Sequence, residues 1–99
     1  MSYTVIYYPV AEAEYLEAYD WYEEREEGLG QRFETALGDS ISHIVNMPLS
    51  YPSKKSGRRE CVMKDFPFIV VFKLYPKTET ILIVSVFHTS RNPRKKYRR

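Results

Sequence analysis

The hydrophobic and polar positions divide the chain into segments with two different periods. Tyr3–Tyr8 is a short β-branched and aromatic run that stops at Pro9, and this predicts a first strand. From Val10 to Glu27 the apolar positions take helical spacing, and acidic residues fall largely on the other faces. The predicted apolar stripe of this first helix is Ala11, Tyr15, Ala18, Tyr19 and Tyr22.

A second helix is predicted from about Gln31 to Asn46, before Pro48. The Gly28-Leu-Gly30 triplet breaks the first helix and permits a tight turn. Because this connection is short, the two helices should form an antiparallel hairpin. The predicted buried stripe of the second helix is Phe33, Ala36, Leu37, Ile41 and Ile44.

The second half of the chain has the pattern of strands. Residues 48–57 have the composition of a loop, and the three strand-like runs that follow are Arg58–Lys64, Phe66–Tyr75 and Thr80–His88. Residues 76–79 should turn the last two runs into a hairpin. The sequence therefore predicts an α+β fold of order β-α-α-β-β-β. The helical hairpin packs on one face of an antiparallel sheet, in which strands 2 to 4 form a meander with strand 1 alongside.

Length and composition predict a single domain over residues 1–99, with a polar, basic tail that frays from about residue 89. No basic segment followed by an apolar one opens the chain, and the longest apolar runs are too short to cross a bilayer. The one cysteine, Cys61, cannot form an internal disulfide, which fits a reducing compartment. We therefore expect a cytoplasmic protein that does not enter a membrane.

Charge is divided unequally along the chain. Residues 1–47 carry two basic and ten acidic side chains, a balance of −8, whereas residues 48–99 carry thirteen basic and three acidic ones, a balance of +10. The basic groups cluster before strand 2, at its start and beyond strand 4. They bind phosphate if they converge, or they form a solubilising fringe on the sheet edge. In a meander the start of strand 2 and the end of strand 4 lie at opposite ends of the sheet. The basic groups therefore converge only if the strands curve or the tail returns.

The histidines differ in their settings. His88 follows an apolar strand directly, where it is either a general acid or base or a structural histidine at a strand end. His43 lies close to the buried stripe of helix 2, which favours a structural role.

Three aromatic residues also have alternative roles. For Trp21 and Tyr22, packing in the core or of helix 1 is the favoured role. Tyr97 either stacks on a base, acts as a general base or belongs to a disordered end.

Several kinds of chemistry are excluded by the residue inventory. One cysteine and two distant histidines give no zinc spacing, and no glycine-rich loop precedes a helix to hold a nucleotide phosphate. The basic half lacks paired carboxylates, so a metal-dependent nuclease site there is not expected. We expect no metal and no cofactor. Any phosphodiester cleavage would use the substrate's 2′-hydroxyl and therefore act on RNA.

Residues in a fixed order along nearly the whole chain resemble the RelE/ParE superfamily of toxins from type II toxin-antitoxin systems. The matching pieces are Ala18-Tyr-Asp-Trp21-Tyr22, Gly28-Leu-Gly30 with Phe33, Ile44 with Met47-Pro48 and Tyr51-Pro52, Arg59, Phe66-Pro67-Phe68-Ile69-Val70 with Phe72, and His88 with Arg91 and Pro93.

The resemblance implies a growth-inhibiting toxin held in a hetero-oligomer by a cognate antitoxin. RelE-like members cleave messenger RNA in the ribosome without a metal, using Lys and Arg with a Tyr or His near the C-terminus. ParE-like members poison DNA gyrase. The chain is most similar overall to ParE-like and plasmid-stabilisation proteins.

By the same resemblance, the candidate catalytic residues are Arg59, His88 and Arg91. The candidate RNA- or partner-binding residues are Lys54, Lys55, Arg58, Arg94, Lys95, Lys96 and Tyr97. The predicted target is DNA gyrase or ribosome-bound mRNA, and in the second case the chain is a metal-independent endoribonuclease. The alternative is a non-toxic or degenerate binding module that engages an antitoxin-like helix.

Overall fold

The computed structural model describes residues 3–90, and its elements follow the predicted order. They are β1 (Thr4–Tyr7), α1 (Pro9–Arg25), α2 (Leu29–Asn46), β2 (Arg58–Val62), β3 (Phe68–Tyr75) and β4 (Thr80–His88). Short 3₁₀ turns cover Pro48–Ser50, Lys55–Gly57 and Pro76–Thr78. Pro9, which ends the predicted strand, occupies the first turn of α1, where its missing N–H would have no helical partner in any case.

The four strands form one sheet in the order β1-β4-β3-β2. Strands β2, β3 and β4 are antiparallel neighbours, so the predicted meander is confirmed. Strand β1 pairs with β4 in parallel, from Thr4 opposite Thr80 to Tyr7 opposite Ile83, so the sheet is mixed where an antiparallel one was expected. The direction of β1 depends on the path of the chain through two helices and a loop, which strand periodicity does not encode.

Both helices pack on one face of the sheet, as the stripes predicted. Phe33, Leu37 and Ile44 of α2 are buried, as are Ala11 and Ala18 of α1. Among the strand residues of the same core are Phe68, Val70, Phe72, Ile81 and Ile83. Phe33 is a centre of this core, with ring centroids 5.1 Å from Phe68 and 5.4 Å from both Tyr22 and Phe66. Burial of these rings supplies much of the driving force for the helix–sheet contact.

The face of the sheet away from the helices is apolar too. Val71, Val84 and Phe87 are at most 2% exposed, and Ile69 and Leu82 pack against them. Strands β3 and β4 are therefore buried on both faces, which explains why their sequences are nearly continuous hydrophobic runs. The sequence predicted one packed face, and the second cluster is a finding of the structure.

Two negative observations apply to residues 3–90. None of the helices there is both long enough and apolar enough to cross a bilayer. Within the same residues, no three side chains of His, Cys, Asp or Glu are grouped so that they could hold a metal ion.

Candidate functional site

Arg59 lies on the side of the sheet that faces the helices. It pairs with Phe72, a residue of the core beneath the helices, and it is half-buried. Its guanidinium Nη1 donates a hydrogen bond to the backbone carbonyl of Tyr51. The predicted catalytic arginine is thus engaged in holding the loop that leads into β2.

Tyr51 connects this loop to α2 and to the sheet. Its hydroxyl accepts a hydrogen bond from the Cys61 thiol at 3.5 Å and contacts Nδ1 of His43. Its ring packs edge-on against Phe72 at 5.6 Å between centroids. Burial raises the pKa of Tyr51, with the Cys61 contact adding to the effect. His43 therefore ties α2 to the loop, in agreement with the structural role that its position favoured.

The other predicted cations near β2 point elsewhere. Arg58 is about nine-tenths buried and pairs with Lys73, so alternation along the strand puts it on the face opposite to Arg59. Lys54 Nζ forms an ion pair with Glu60 Oε1 at 3.4 Å, and Lys55 is exposed in the short turn before β2. These four basic residues therefore do not form one phosphate-binding surface.

His88 ends β4, with its ring 5.0 Å from that of Phe68 and nearly perpendicular to it. Its Nδ1 accepts a hydrogen bond from the Ser90 N–H at 3.1 Å and lies 2.7 Å from the Ser90 hydroxyl oxygen. Acceptance at Nδ1 leaves the proton of the neutral imidazole on Nε2. The ring is held at one end by the turn after β4 and is partly open to solvent.

The strand register separates Arg59 from His88. On the intervening strand β3, Arg59 pairs with Phe72 and His88 pairs with Phe68. Four residues of β-strand amount to about 13 Å along the strand direction, in addition to the width of the sheet. The predicted residues Arg91, Arg94, Lys95, Lys96 and Tyr97 lie outside the described residues, as does most of the tail that was predicted to fray.

The surroundings of His88 are acidic and aromatic. A cleft of about 440 Å³ opens between α1 and the adjoining ends of β3 and β4. Its lining includes Glu14, Glu17, Ala18, Trp21, Phe68 and His88. Sequence reasoning missed this cleft, although residues 14, 17, 18 and 21 recur at helical spacing and so share one face of α1.

Glu14 closes the inner end of the cleft. Its Oε1 accepts hydrogen bonds from the Ser85 hydroxyl at 2.8 Å and from the Val86 N–H at 3.0 Å. The β3–β4 register shifts at this point, because Val71 pairs with Ser85 whereas Phe72 pairs with Ile83, which leaves Val84 as an extra residue on β4. The carboxylate thus binds a strand N–H beyond the end of β1, which stops at Tyr7 opposite Ile83.

Trp21 forms the outer wall of the cleft and is half exposed. The Arg25 guanidinium carbon lies 3.4 Å from the centroid of the indole ring, and Arg25 Nη1 donates to the Trp21 carbonyl at 3.1 Å. The neighbouring Tyr22 turns inward and packs against Phe66 and Phe68. Packing was favoured for both residues: Tyr22 packs in the core, whereas Trp21 stays half exposed and packs edge-on against the Tyr22 ring, with 5.1 Å between centroids.

Comparison with known proteins gives one family and several similar structures. A model of the family described as ParE toxin of type II toxin-antitoxin system, parDE, matches residues 5–93. No curated protein sequence matches the chain significantly. The two solved structures described next share less than a fifth of their residues with the chain, so they show a similar fold and nothing further.

Two of the similar structures come from toxin-antitoxin systems. One is described as the chromosomal ParDE TA system from P. aeruginosa, with a TM-score of 0.64 and 17% identity over 90% of this chain and 98% of that chain. The other is the toxin-antitoxin complex RelBE2 from Mycobacterium tuberculosis, with a TM-score of 0.59 and 13% identity over 89% of this chain and 99% of that one.

Proposed function

The chain belongs to the ParE toxin family of type II toxin-antitoxin systems, and from this membership we propose that it arrests growth by poisoning DNA gyrase. A cognate antitoxin neutralises it in a hetero-oligomer. Both similar structures named above come from toxin-antitoxin systems, which supports such a partner.

The observation that favours gyrase over mRNA cleavage is the separation of Arg59 from His88. Metal-free cleavage of RNA requires a general base and cations within hydrogen-bond reach of one phosphate. Arg59 instead donates to the Tyr51 carbonyl, and the β3 register puts His88 about four residues of strand away.

Two assays run in parallel test this proposal. Purified protein is incubated with gyrase, ATP and supercoiled plasmid, and separately with ribosomes on a defined mRNA. We expect trapped gyrase–DNA cleavage complexes and an intact mRNA. Codon-positioned cuts in the mRNA would overturn the proposal and restore the endoribonuclease interpretation. Absence of both products, together with normal growth on induction, would favour the non-toxic binding module.

Variants at the predicted catalytic residues distinguish gyrase poisoning from mRNA cleavage by the protein. His88→Ala should leave gyrase poisoning unchanged, since no bond is broken by the protein itself. Arg59→Ala should lower the free energy of unfolding by about 1.5–3 kcal/mol through loss of a charged hydrogen bond, and growth arrest should fall only with the folded fraction. Lys77→Ala, in the exposed turn after β3, is the matched control. A fully folded His88→Ala or Arg59→Ala protein that has lost all toxicity would contradict this.

A further inference from the structure

Strand β1 lies at one edge of the sheet, and only β4 is beside it. The Tyr8 N–H, directly after the strand, donates to the Ile83 carbonyl of β4 at 2.9 Å. By the two-residue alternation of a strand, the N–H and carbonyl groups of Val5 and Tyr7 therefore point away from β4. Within residues 3–90, no strand or loop pairs with these outward groups.

The two edges of the sheet differ in charge. The opposite edge strand, β2, carries Arg58, Arg59 and Glu60 among its five residues, and charged side chains commonly keep a sheet edge from pairing with another chain. Strand β1 contains no charged residue and no proline, and its pairing with β4 has no register shift. Ile6 of this strand is 50% exposed. The β1 edge therefore lacks the features that prevent pairing, which indicates an interaction surface.

The sequence of β1 is complementary to itself about Ile6. In an antiparallel pair of two β1 strands centred there, Val5 lies opposite the partner's Tyr7, so the outward backbone groups of both residues exchange hydrogen bonds. Ile6 then lies opposite the partner's Ile6. Because Ile6 is next to Leu82 on the face away from the helices, this contact would extend the second apolar cluster across the two copies. The arrangement has the two-fold symmetry that is commonest among homodimers.

The side of β1 that faces the helices leaves room for this pairing. Tyr7 faces that side, because it pairs with Ile83 of the core. A groove of about 260 Å³ lies beside Tyr7, and its lining includes Tyr15 and Leu37. The partner's Val5, opposite Tyr7, would therefore meet an apolar and aromatic surface, and β-branched and aromatic side chains form favourable pairs across strands.

The charges near β1 are compatible with a second copy. The acidic residues of the groove are Glu12 and Glu34, and Glu34 accepts a hydrogen bond from Tyr15. Glu12 lies one helical turn after Tyr8, which would be opposite the partner's Thr4. The two α1 helices thus begin four residues of strand apart, or about 13 Å. This separation exceeds the Debye length of about 8 Å at physiological ionic strength, so their acidic first turns repel each other weakly.

We propose that two copies of this chain associate through the outer edges of β1, as an antiparallel pair centred on Ile6. The association joins the two sheets into one continuous sheet, with four strands from each copy. It concerns the chain without its antitoxin and is independent of the proposed function. A strand from the antitoxin is the other candidate for this edge, and the experiments below distinguish the two.

The oligomeric state of the purified chain tests the association. Sedimentation velocity should show a monomer that converts to a dimer as the protein concentration rises. Ile6→Lys puts two cations opposite each other and should weaken the dimer roughly tenfold or more. Val62→Lys, at a 73% exposed position of the other edge strand, is the matched control and should leave the dimer intact. A chain that stays monomeric up to about 1 mM, or a dimer that the two variants affect equally, would overturn the proposal.

A cysteine crosslink tests the register and does not depend on the folding of the lysine variant. In a Cys61→Ser background, Ile6→Cys should give a disulfide-linked dimer on mild oxidation. Directly opposed residues of a non-hydrogen-bonded pair have Cα atoms about 4.5 Å apart, which is within the range of disulfides. Val62→Cys is equally accessible and should crosslink much more slowly. Equal rates at the two positions would indicate random collision and contradict the proposed pairing.

The antitoxin encoded beside the gene identifies the occupant of the edge. If the chain alone is monomeric and the antitoxin protects the Ile6→Cys thiol from alkylation, the edge belongs to the antitoxin and the proposal is wrong. Formation of the same crosslink by the free chain and by the toxin–antitoxin complex would support it. Neither measurement uses growth arrest or gyrase, so its result is separate from the test of the proposed function.

Discussion

Tyr15 joins the two helices through a single hydrogen bond, and its titration follows from that contact. Its hydroxyl donates to Glu34 Oε2 across the helical hairpin. The bond to Glu34 raises the pKa of Tyr15 to about 12, and burial adds to it. The folded protein therefore favours the neutral phenol more than the unfolded chain does, for which the pKa is 10.0. The stabilisation is complete below pH 10 and is lost as the pH rises toward 12.

This contact gives a prediction for alkaline solution. The free energy of unfolding should fall as the pH rises from 10 to 12, with Tyr7, Tyr22 and Tyr51 also contributing, because burial raises the pKa of each. Tyr15→Phe should remove part of that dependence. Urea denaturation followed by circular dichroism at several pH values measures it. Tyr75→Phe, which alters an exposed ring, is the control, and identical pH profiles for Tyr15→Phe and the unaltered chain would contradict the prediction.

Arg59 shows the limit of assigning a role to a residue from sequence. A family motif located it, and its residue type suits phosphate binding. The same guanidinium is equally suited to a backbone carbonyl, and in the structure it donates to Tyr51. Which acceptor an arginine meets depends on a loop eight residues away in sequence, so its catalytic role stays a prediction.

Among the elements, the start of α2 depends on a side chain from α1. The Glu23 carboxylate accepts hydrogen bonds from the Gly28 N–H at 3.0 Å and the Gly30 N–H at 2.9 Å. Gly28 adopts a positive φ of 85°, and a Cβ at Gly30 would lie 2.9 Å from both the Tyr19 carbonyl oxygen and Glu23 Oε1. The Gly-Leu-Gly turn was predicted from sequence, whereas this cap was not, because it reaches back across the hairpin.

Removal of the cap should destabilise the protein measurably. Glu23→Ala is expected to lower the free energy of unfolding by about 0.5–2 kcal/mol, the range for loss of a helix N-cap. Glu24→Ala, at the next and exposed position of α1, should change it by less than about 0.5 kcal/mol. Urea unfolding of the two variants makes the comparison. Equal losses of stability would show that the general charge of α1 matters and the cap does not.

Across the whole molecule, the sheet is buried on both faces. Phe87 is 2% exposed on the face away from the helices, whereas Val62, at the end of the edge strand β2, is 73% exposed. Phe87→Ala should therefore lower the free energy of unfolding by about 3–5 kcal/mol. Val62→Ala should change it by about 0.5 kcal/mol or less. Denaturant titration distinguishes the two, and a small effect of Phe87→Ala would show that the second face contributes little to stability.

The acidic and basic halves of the sequence form different elements of the fold. The acidic first half forms β1 and both helices, and α1 contributes the carboxylates of the cleft. The basic second half forms the remaining strands, but Arg58 and Arg59 lie on opposite faces and Lys54 pairs with Glu60. Within residues 3–90, the basic groups are dispersed. The net charge of the second half therefore does not correspond to one common basic surface there.

The sequence by itself determined the order of elements, the buried stripes of both helices and the β2–β4 meander. These features depend on local periodicity and turn residues, which act over a few positions. Phe33, Leu37 and Ile44 are examples, since helical spacing alone puts them on one face.

Tertiary structure decided the features that depend on distant partners. The parallel pairing of β1 with β4 and the acidic cleft beside His88 join segments tens of residues apart, and the second apolar face exists only once β3 and β4 have paired. Glu14 illustrates the reason, because Ser85 and Val86, its hydrogen-bond donors, are about seventy residues away along the chain. No period in the sequence predicts such a contact, because it exists only once the β4 register is set and α1 has packed across the edge of β4 beyond the end of β1.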